Sequence, residues 1–485
     1  MPSSPFTPPA SFGRCLPLLA LTFGLAACAQ PDRFQPPLTA TPDTHLAHEP
    51  ALSTAVMPAK WWQQLHDPQL DALMEQAMQD NIDLQLAATR VAASRAQSGL
   101  VEAASQPQLG MQAGYSRNAN SAHSPIVRLG ASTRTYDLWQ VGLQSSWELD
   151  LWGHLRQQQV AARASAQASA YGAEATRVAV LANVAQHYLL LRHGQRAASL
   201  NHQQWLLASQ HAALLASRER NGLLGKAAVE RADAALALVQ VRQEILERQN
   251  SALLNALALL LGQPPGSLEQ QLGQASTLPL PPDTLPTGLP STLARQRPDI
   301  LQAEAELHAA VAGVAAAEAD FYPRLTLSGH LESLAFNGHD LGMWNARQFS
   351  FGPALYLPLF NGGRLRQSLV LSQVQQQQAA IHYRQTVLNA WHEVDDAAQA
   401  WHSAQAVLAQ NTLALQQYGN NSRHARRAYE EGSSSKLEWL EAQSAELDRQ
   451  LAVDDARAAI SQSMVALYRA LGGNWPASAA EVAHG

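Results

Sequence analysis

Two runs of helix-compatible sequence dominate the chain. Residues 154–221 contain no proline and only two glycines, Gly172 and Gly194; residues 364–431 contain no proline and only Gly419. A helix over such a run rises 1.5 Å per residue and reaches ~100 Å, several times the length of a globular-domain helix. Along the first run Val184, Leu191, Ala198, Trp205 and Ala212 recur every seven residues; along the second, Val387, Val394, Trp401, Leu408 and Leu415 do so. A sustained seven-residue apolar period makes helices coil left-handedly against their neighbours.

Before each long run the period changes from helical to two, the signature of strands. Leu109, Met111, Ala113 and Tyr115 alternate with Gln, Gly and Ser, and after a polar loop so do Trp139, Val141, Leu143, Trp147, Leu149 and Leu151. Ahead of the second run stand Leu325, Leu327 and Leu331, then Phe349, Phe351, Leu355, Leu357 and Leu359. Shorter helices are predicted over 81–105, ending before Pro107, and over 226–261, stopped by Gly262, Pro264, Pro265 and Gly266. Asp67 is placed to cap a helix that starts at Pro68. The second half repeats the first: helices over 297–320 and 434–471 match the earlier pair, and Tyr322-Pro323-Arg324-Leu325 stands 216 positions after Gln106-Pro107-Gln108-Leu109. Leu357-Pro358-Leu359-Phe360-Asn361-Gly362 answers Leu149-Asp150-Leu151-Trp152-Gly153. Helix, two strands, long helix and medium helix therefore form a tandem repeat. The two shorter helices of each repeat nearly equal the long one in combined length, so laid end to end they pair along it.

One face of each predicted strand carries Trp, Leu, Phe and Val, and the other Gln, Ser, Glu, Asp and Gly, as in a wall between lipid and a lumen. The strands run about 11 to 15 residues, and about 9 to 11 suffice for a tilted strand to cross a bilayer. A spanning sheet must close on itself because lipid satisfies no backbone group. Four strands cannot close, since the smallest bacterial barrels have about eight. Copies must combine: a dimer supplies eight strands and a trimer 12. Eight helices about 10 Å apart ring a bore of roughly 15 Å and twelve ring roughly 28 Å, so spacing permits either.

Composition narrows function further. Apolar residues make up 46% of the chain, and a net charge of −6 with pI near 6.3 gives no electrostatic reason to expect nucleic acid. The 17 histidines lack zinc-site spacing, and no nucleophile-elbow or phosphate-loop pattern occurs. Glu393, Asp395 and Asp396 form an acidic cluster that reads as a solvated or lumen-facing helix surface. No enzymatic activity, metal or catalytic residue is expected. At the amino terminus Arg14 precedes an apolar run too short to span a bilayer as a helix. It ends in Leu25-Ala26-Ala27-Cys28, which resembles a bacterial lipobox; Cys15 is upstream and lost on cleavage, and Ala29 resembles the outer-membrane sorting pattern. The expected organisation is a signal peptide over 1–27, a lipid-anchored extended tether over 28–60, a first repeat over 61–290, a second over 291–475 and a tail over 476–485.

Trp61-Trp62 with Asp67-Pro68, Asn81-x-Asp83-Leu84, Arg297-Pro298-Asp299-Ile300, Tyr322-Pro323, Leu357-Pro358-Leu359-Phe360-Asn361-Gly362-Gly363, Tyr429-x-x-Gly432 and Leu440-x-Ala442-Gln443 together resemble the outer-membrane factor family of TolC and OprM. The lipobox makes the chain most similar to the NodT-type lipoprotein branch. The resemblance implies a mainly α fold with a transmembrane β-barrel. Four strands per protomer would form a shared 12-stranded barrel in a homotrimer, continuous with a long coiled-coil periplasmic tunnel. It further implies an outer-membrane, lipid-anchored location and a passive export duct for drugs or other toxic small molecules. The partners would be a periplasmic adaptor and an inner-membrane transporter, with no cofactor beyond diacylglycerol and palmitate on Cys28. The alternative from another class is a lipid-anchored coiled-coil scaffold or adaptor without a pore. A duct needs a closure, expected where each long helix meets its return helix. Arg423, Arg426, Arg427, Tyr429, Glu430 and Glu431 at one tip, and Arg218, Glu219 and Arg220 at the other, are the candidates for interhelical contacts that narrow the mouth.

Overall fold

The computed structural model describes residues 52, 53, 55, 57–286 and 297–473. The expected signal peptide, Cys28, most of the expected tether and the expected tail lie outside the described residues. The chain divides into two compact units: one takes in residues 93–166 and 305–381, and the other the described parts of 38–92, 167–304 and 382–485.

The first unit is built on a four-stranded antiparallel sheet. Its strands are β1 (Gln108–Asn118), β2 (Tyr136–Leu149), β3 (Arg324–Ala335) and β4 (Arg347–Tyr356), paired in that order. The expected alternation is realised as rows across the sheet. Met111, Leu143, Leu331 and Phe349 form one row, and the next holds Gln112, Gly142, Glu332 and Gln348 on the opposite face. Gly142 is required there, because a Cβ on it would come within 2.5 Å of the Glu332 Cβ. The hairpin loops 119–135 and 336–346 share one end of the sheet, and all four helical connections leave from the other.

Strand ends differ from expectation. The alternating pattern extended to Leu151 and Leu359, yet β2 stops at Leu149 and β4 at Tyr356. Gly153 turns the chain at φ 83° and Gly362 at φ 63°, conformations that glycine adopts freely. Pro358 also has no N–H to give to a ladder. The strands are accordingly 11, 14, 12 and 10 residues long.

The helices are α1 (Pro68–Asp80), α2 (Ile82–Ala103), α3 (His154–Arg220), α4 (Lys226–Leu260), α5 (Pro298–Ala319), α6 (Arg364–Glu430) and α7 (Lys436–Ala470). Both long helices, α3 and α6, have 67 residues. Asp67 caps α1 as expected, accepting from the Gln69 and Leu70 amides at 2.9 and 3.2 Å. The pairing read from helix lengths is also present. Arg163 of α3 meets Glu102 of α2 at 3.0 Å, and farther along α3 Asn201 donates to the Val239 carbonyl of α4 at 3.1 Å.

The second unit holds the dry core. Val184 and Leu191 from the first heptad stripe and Val394 and Trp401 from the second are buried together with Leu70, Met74, Leu257, Met464 and Leu467. Each such side chain contributes about 1.5–3 kcal/mol when fully buried. Trp61 stacks on Tyr468 at 5.3 Å, and burial pushes the Tyr468 phenol up to about 12. Arg192 is buried over the Tyr188 ring and donates to Gln69, Gln195 and the carbonyls of Leu272 and Gln274. Those bonds fasten the connection after α4 to α3. Burial opposes the charge of Arg297, but bonds to Asp299 at 2.6 Å and Glu393 at 2.7 Å outweigh it and hold its pKa above the ordinary value. Glu393, read as surface charge, thus anchors the start of the second repeat to α6.

Candidate functional site

The sheet is written for two surroundings. One face carries Leu109, Met111, Ala113 and Tyr115, then Trp139, Val141, Leu143 and Trp147, then Leu325, Leu327 and Leu331, then Phe349, Phe351 and Leu355. Leu109 is 72% exposed, Phe349 81% and Phe351 74%. Apolar side chains left this open on a sheet face require a nonaqueous surrounding or a partner surface. Aromatic side chains fringe the band at both ends. Trp147 and Trp152, by the helical connections, donate to the carbonyls of Ser105 and Pro323 at 2.9 and 2.8 Å, and Trp152 stacks on Tyr322. Near the hairpin loops Tyr115 packs on Trp139 at 4.6 Å and Tyr136 on Phe336 at 5.7 Å. Indoles with satisfied N–H groups at the border by the helical connections, and packed aromatic rings at the other, match the aromatic girdles of membrane barrels.

The opposite face is polar. A shallow depression of about 590 Å³ on it is lined by Gln108, Gln144, Ser146, Ser328, His330 and Ser350, among others. His330 meets Glu332 at 2.9 Å. Such a surface wets readily and offers hydrogen bonds without an enclosed site, as a conduit wall requires. Among the described residues, the outer edges of β1 and β4 pair with no other strand. Among the described residues no helix is long and apolar enough to cross a membrane, and no group of three or more His, Cys, Asp or Glu is arranged to hold a metal ion.

The hairpin tips carry the expected gate residues. Arg218 and Arg220 occupy the last turn of α3, with Glu219 between them, and Gly222 turns the chain at φ 72°. Arg423, Arg426, Arg427, Tyr429 and Glu430 lie in the last two turns of α6, and Glu431 in the turn before Gly432. Two of these residues act between helices. Tyr429 stacks on Trp439 of α7 at 5.4 Å, and Arg218 helps hold the Glu438 carboxyl of α7 below its usual range. The larger causes of that shift are hydroxyl hydrogen bonds from Ser434 at 2.7 Å and Ser435 at 3.1 Å. By contrast, Arg423 reaches Asn420 and Arg426 reaches Glu430 at 2.8 Å, each within α6.

Sequence reasoning missed a polar ladder between α3 and α7. His193 meets Asp455 at 3.2 Å, Arg196 meets Asp454 at 2.9 Å, Gln204 bonds Asp448 at 2.8 Å and Ser444 at 3.0 Å, and His211 meets Glu441 at 3.8 Å. Below the last rung Ala212 and Leu215 pack with Leu437. From Arg196 onward the rungs recur every seven or eight residues on α3, at 196, 204 and 211, flanking the apolar stripe as charged positions flank a coiled-coil seam. That spacing was the available signal. The ladder ties the first hairpin to the second, whereas Tyr429 and Trp439 stay within the second.

An apolar wall with one open edge on each side, and paired hairpins with a polar tie, define a subunit of a membrane conduit. The family profile described as "Outer membrane efflux protein" matches residues 73–263 and 289–473, one match in each repeat. Outer membrane protein OprJ of Pseudomonas aeruginosa is 30% identical over 480 residues, covering 98% of both chains. Cation efflux system protein CusC of Escherichia coli O6:H1 is 30% identical over 470 residues, covering 94% of this chain and 97% of its own. The solved outer-membrane channel OprN superposes with a TM-score of 0.84 at 29% identity, over 92% of this chain and 99% of that one. The chain belongs to the outer membrane efflux protein family. It is an outer-membrane channel subunit, and three copies complete a 12-stranded barrel and a helical tunnel. The pore-less scaffold is thereby set aside.

Proposed function

We propose that the trimer is a passive export duct for toxic small molecules whose periplasmic mouth is closed by the two hairpin tips and held by the α3–α7 ladder. It works with a periplasmic adaptor and an inner-membrane transporter. The observation that carries the gating part is the ladder itself: opening the mouth by moving α6 and α7 away from α3 and α4 must break Arg196–Asp454, Gln204–Asp448 and His211–Glu441 first. Arg423, Arg426, Arg427, Glu430, Glu431, Glu219 and Arg220 serve in this reading as the charged lining of the mouth, with Tyr429 and Arg218 fixing the tips. Arg196→Ala with Gln204→Ala raises single-channel conductance in planar bilayers, and Arg423→Ala with Arg426→Ala raises it less. Unchanged conductance in the first pair would remove the ladder from the gate.

The cargo follows the transporter, because the polar face offers side chains that wet rather than a pocket that selects. CusC is named for cation efflux and OprJ for none, which fits a wall indifferent to solute. Expression in an efflux-deficient host with different transporters should change the resistance spectrum with the transporter and not with the duct. Cys28 is the lipidation site in this reading, supported by the lipobox alone. Cys28→Ala should remove the acyl mass from the mature amino terminus.

A further inference from the structure

The two edge strands each place one arginine on the apolar face, just past the band and at the end next to the hairpin loops. On β1 it is Arg117, one step beyond Tyr115; on β4 it is Arg347, one step before Phe349. Arg347 lies 4.0 Å over the ring of Trp344, which is 81% exposed, and makes no ion pair among the described residues. Arg117 sits 4.0 Å from Asp137 on β2, whose carboxylate also accepts from the Tyr115 hydroxyl at 2.9 Å.

The tandem repeat supplies a register to carry to the seam between copies. Leu325 of β3 corresponds to Leu109 of β1, and Leu149 of β2 corresponds to Leu357 just after β4. Within one chain β2 pairs with β3 so that Val141 faces Ser333 and Trp139 faces Ala335. Carried to the seam between copies, the β2–β3 register sets Phe349 opposite Arg117 of the partner subunit, and Arg347 two residues farther along the same face. The two hairpins are offset by one such step, Leu109 facing Ser145 and Leu325 facing Leu355, so the seam register is itself part of the proposal. Diagonal neighbours of this kind lie about 7–8 Å apart. The corresponding positions within one chain hold Trp139 and Ser333, so the paired charge belongs to the seam alone. Two guanidiniums side by side repel unless an anion lies between them, and Asp137 flanks Arg117 on the side away from the seam.

We propose that each subunit seam binds a phosphate group of an outer-leaflet glycolipid between Arg347 and Arg117 of the partner subunit. The site rests on the trimeric reading above. Its height fits: both arginines stand where the apolar side chains end, at the level of headgroups, with Trp344 under one guanidinium and Tyr115 below the other. Guanidinium forks suit phosphate geometry, and the tie to Trp344 holds one fork ready. Binding would also bridge the protomers at the seam.

The test is native mass spectrometry of the purified trimer released from nanodiscs holding a bis-phosphorylated lipid A. Wild type should retain the glycolipid, and Arg117→Gln with Arg347→Gln should retain at least about tenfold less, as loss of charge-assisted bonds to phosphate implies. Arg117→Lys with Arg347→Lys should recover part of it, and Arg163→Gln, on a helix, should match wild type. Enzymatically dephosphorylated lipid A should be lost from wild type. Equal retention by the double glutamine variant, or of the dephosphorylated lipid, would overturn the proposal. So would displacement by millimolar inorganic phosphate with no preference for the lipid, which would mark a free-anion site. Conductance measured on the same preparation keeps the two readings apart: a conducting trimer without retained glycolipid removes the lipid site only, and absence of any trimer removes both.

Discussion

The sheet and the helical core use the same apolar residue types to opposite ends. In the second unit Trp401, Tyr188 and Leu191 have no measurable exposure, and the sheet leaves Phe349 at 81%. Burial drives the core together in water, whereas the sheet's outer face gains nothing until hydrocarbon or another copy covers it. One chain is thus written for two solvents, and what switches between them is the period of its apolar positions rather than their identity.

Mutations should separate the two regions. Trp401→Ala opens a cavity in a dry core and should cost about 3–5 kcal/mol in the denaturant stability of the helical region. Phe351→Arg, near the middle of β4, should cost about 2–4 kcal/mol in the heat-resistance of the assembled barrel, because its face meets lipid. Ser350→Arg, one residue away on the polar face, should leave assembly nearly intact. If both arginines are tolerated equally, the sheet does not distinguish two surroundings. A smaller effect is expected at the ladder, where Arg196→Ala deprives the buried Asp454 of its closer partner and leaves Arg457 at 3.4 Å. That loss should amount to roughly 1–3 kcal/mol.

The smallest effect concerns pH at the tips. Hydrogen bonds from Ser434 and Ser435, and then Arg218, hold the Glu438 carboxyl below its usual range. A carboxyl depressed by folding lends stability above its unfolded pKa and loses it as pH falls through the lower folded value. Conductance should therefore rise modestly below the ordinary carboxylate range, and Glu438→Gln should flatten that rise. Glu438 is exposed, so the change is measured as open probability.

Much of this was legible in the sequence because periodic elements announce themselves over many residues. Both long helices end within one residue of the expected positions, since absent proline and a glycine turn define them. The strand faces were legible for the same reason. Strand ends were not, because Leu151, Leu357 and Leu359 continue an alternation that the backbone abandons at glycine and proline. Of the tip residues expected to make interhelical contacts, Tyr429 and Arg218 do so. Arg426 and Glu430 are four apart on one helix, and that local pairing satisfies them without the interhelical contact assigned to them. The ladder was missed because Arg196 and Asp454 are 258 positions apart, and nothing local in either residue's neighbourhood names the other.

The central claim is that the sheet's two faces meet different solvents in the assembled protein. Spin labels placed singly along β4, at residues 348 to 351, measure this directly by collision with oxygen, which concentrates in hydrocarbon, and with a water-soluble nickel chelate. The account predicts a strict period of two, with oxygen dominant at 349 and 351 and nickel dominant at 348 and 350. Uniform access to nickel at all four positions would contradict it.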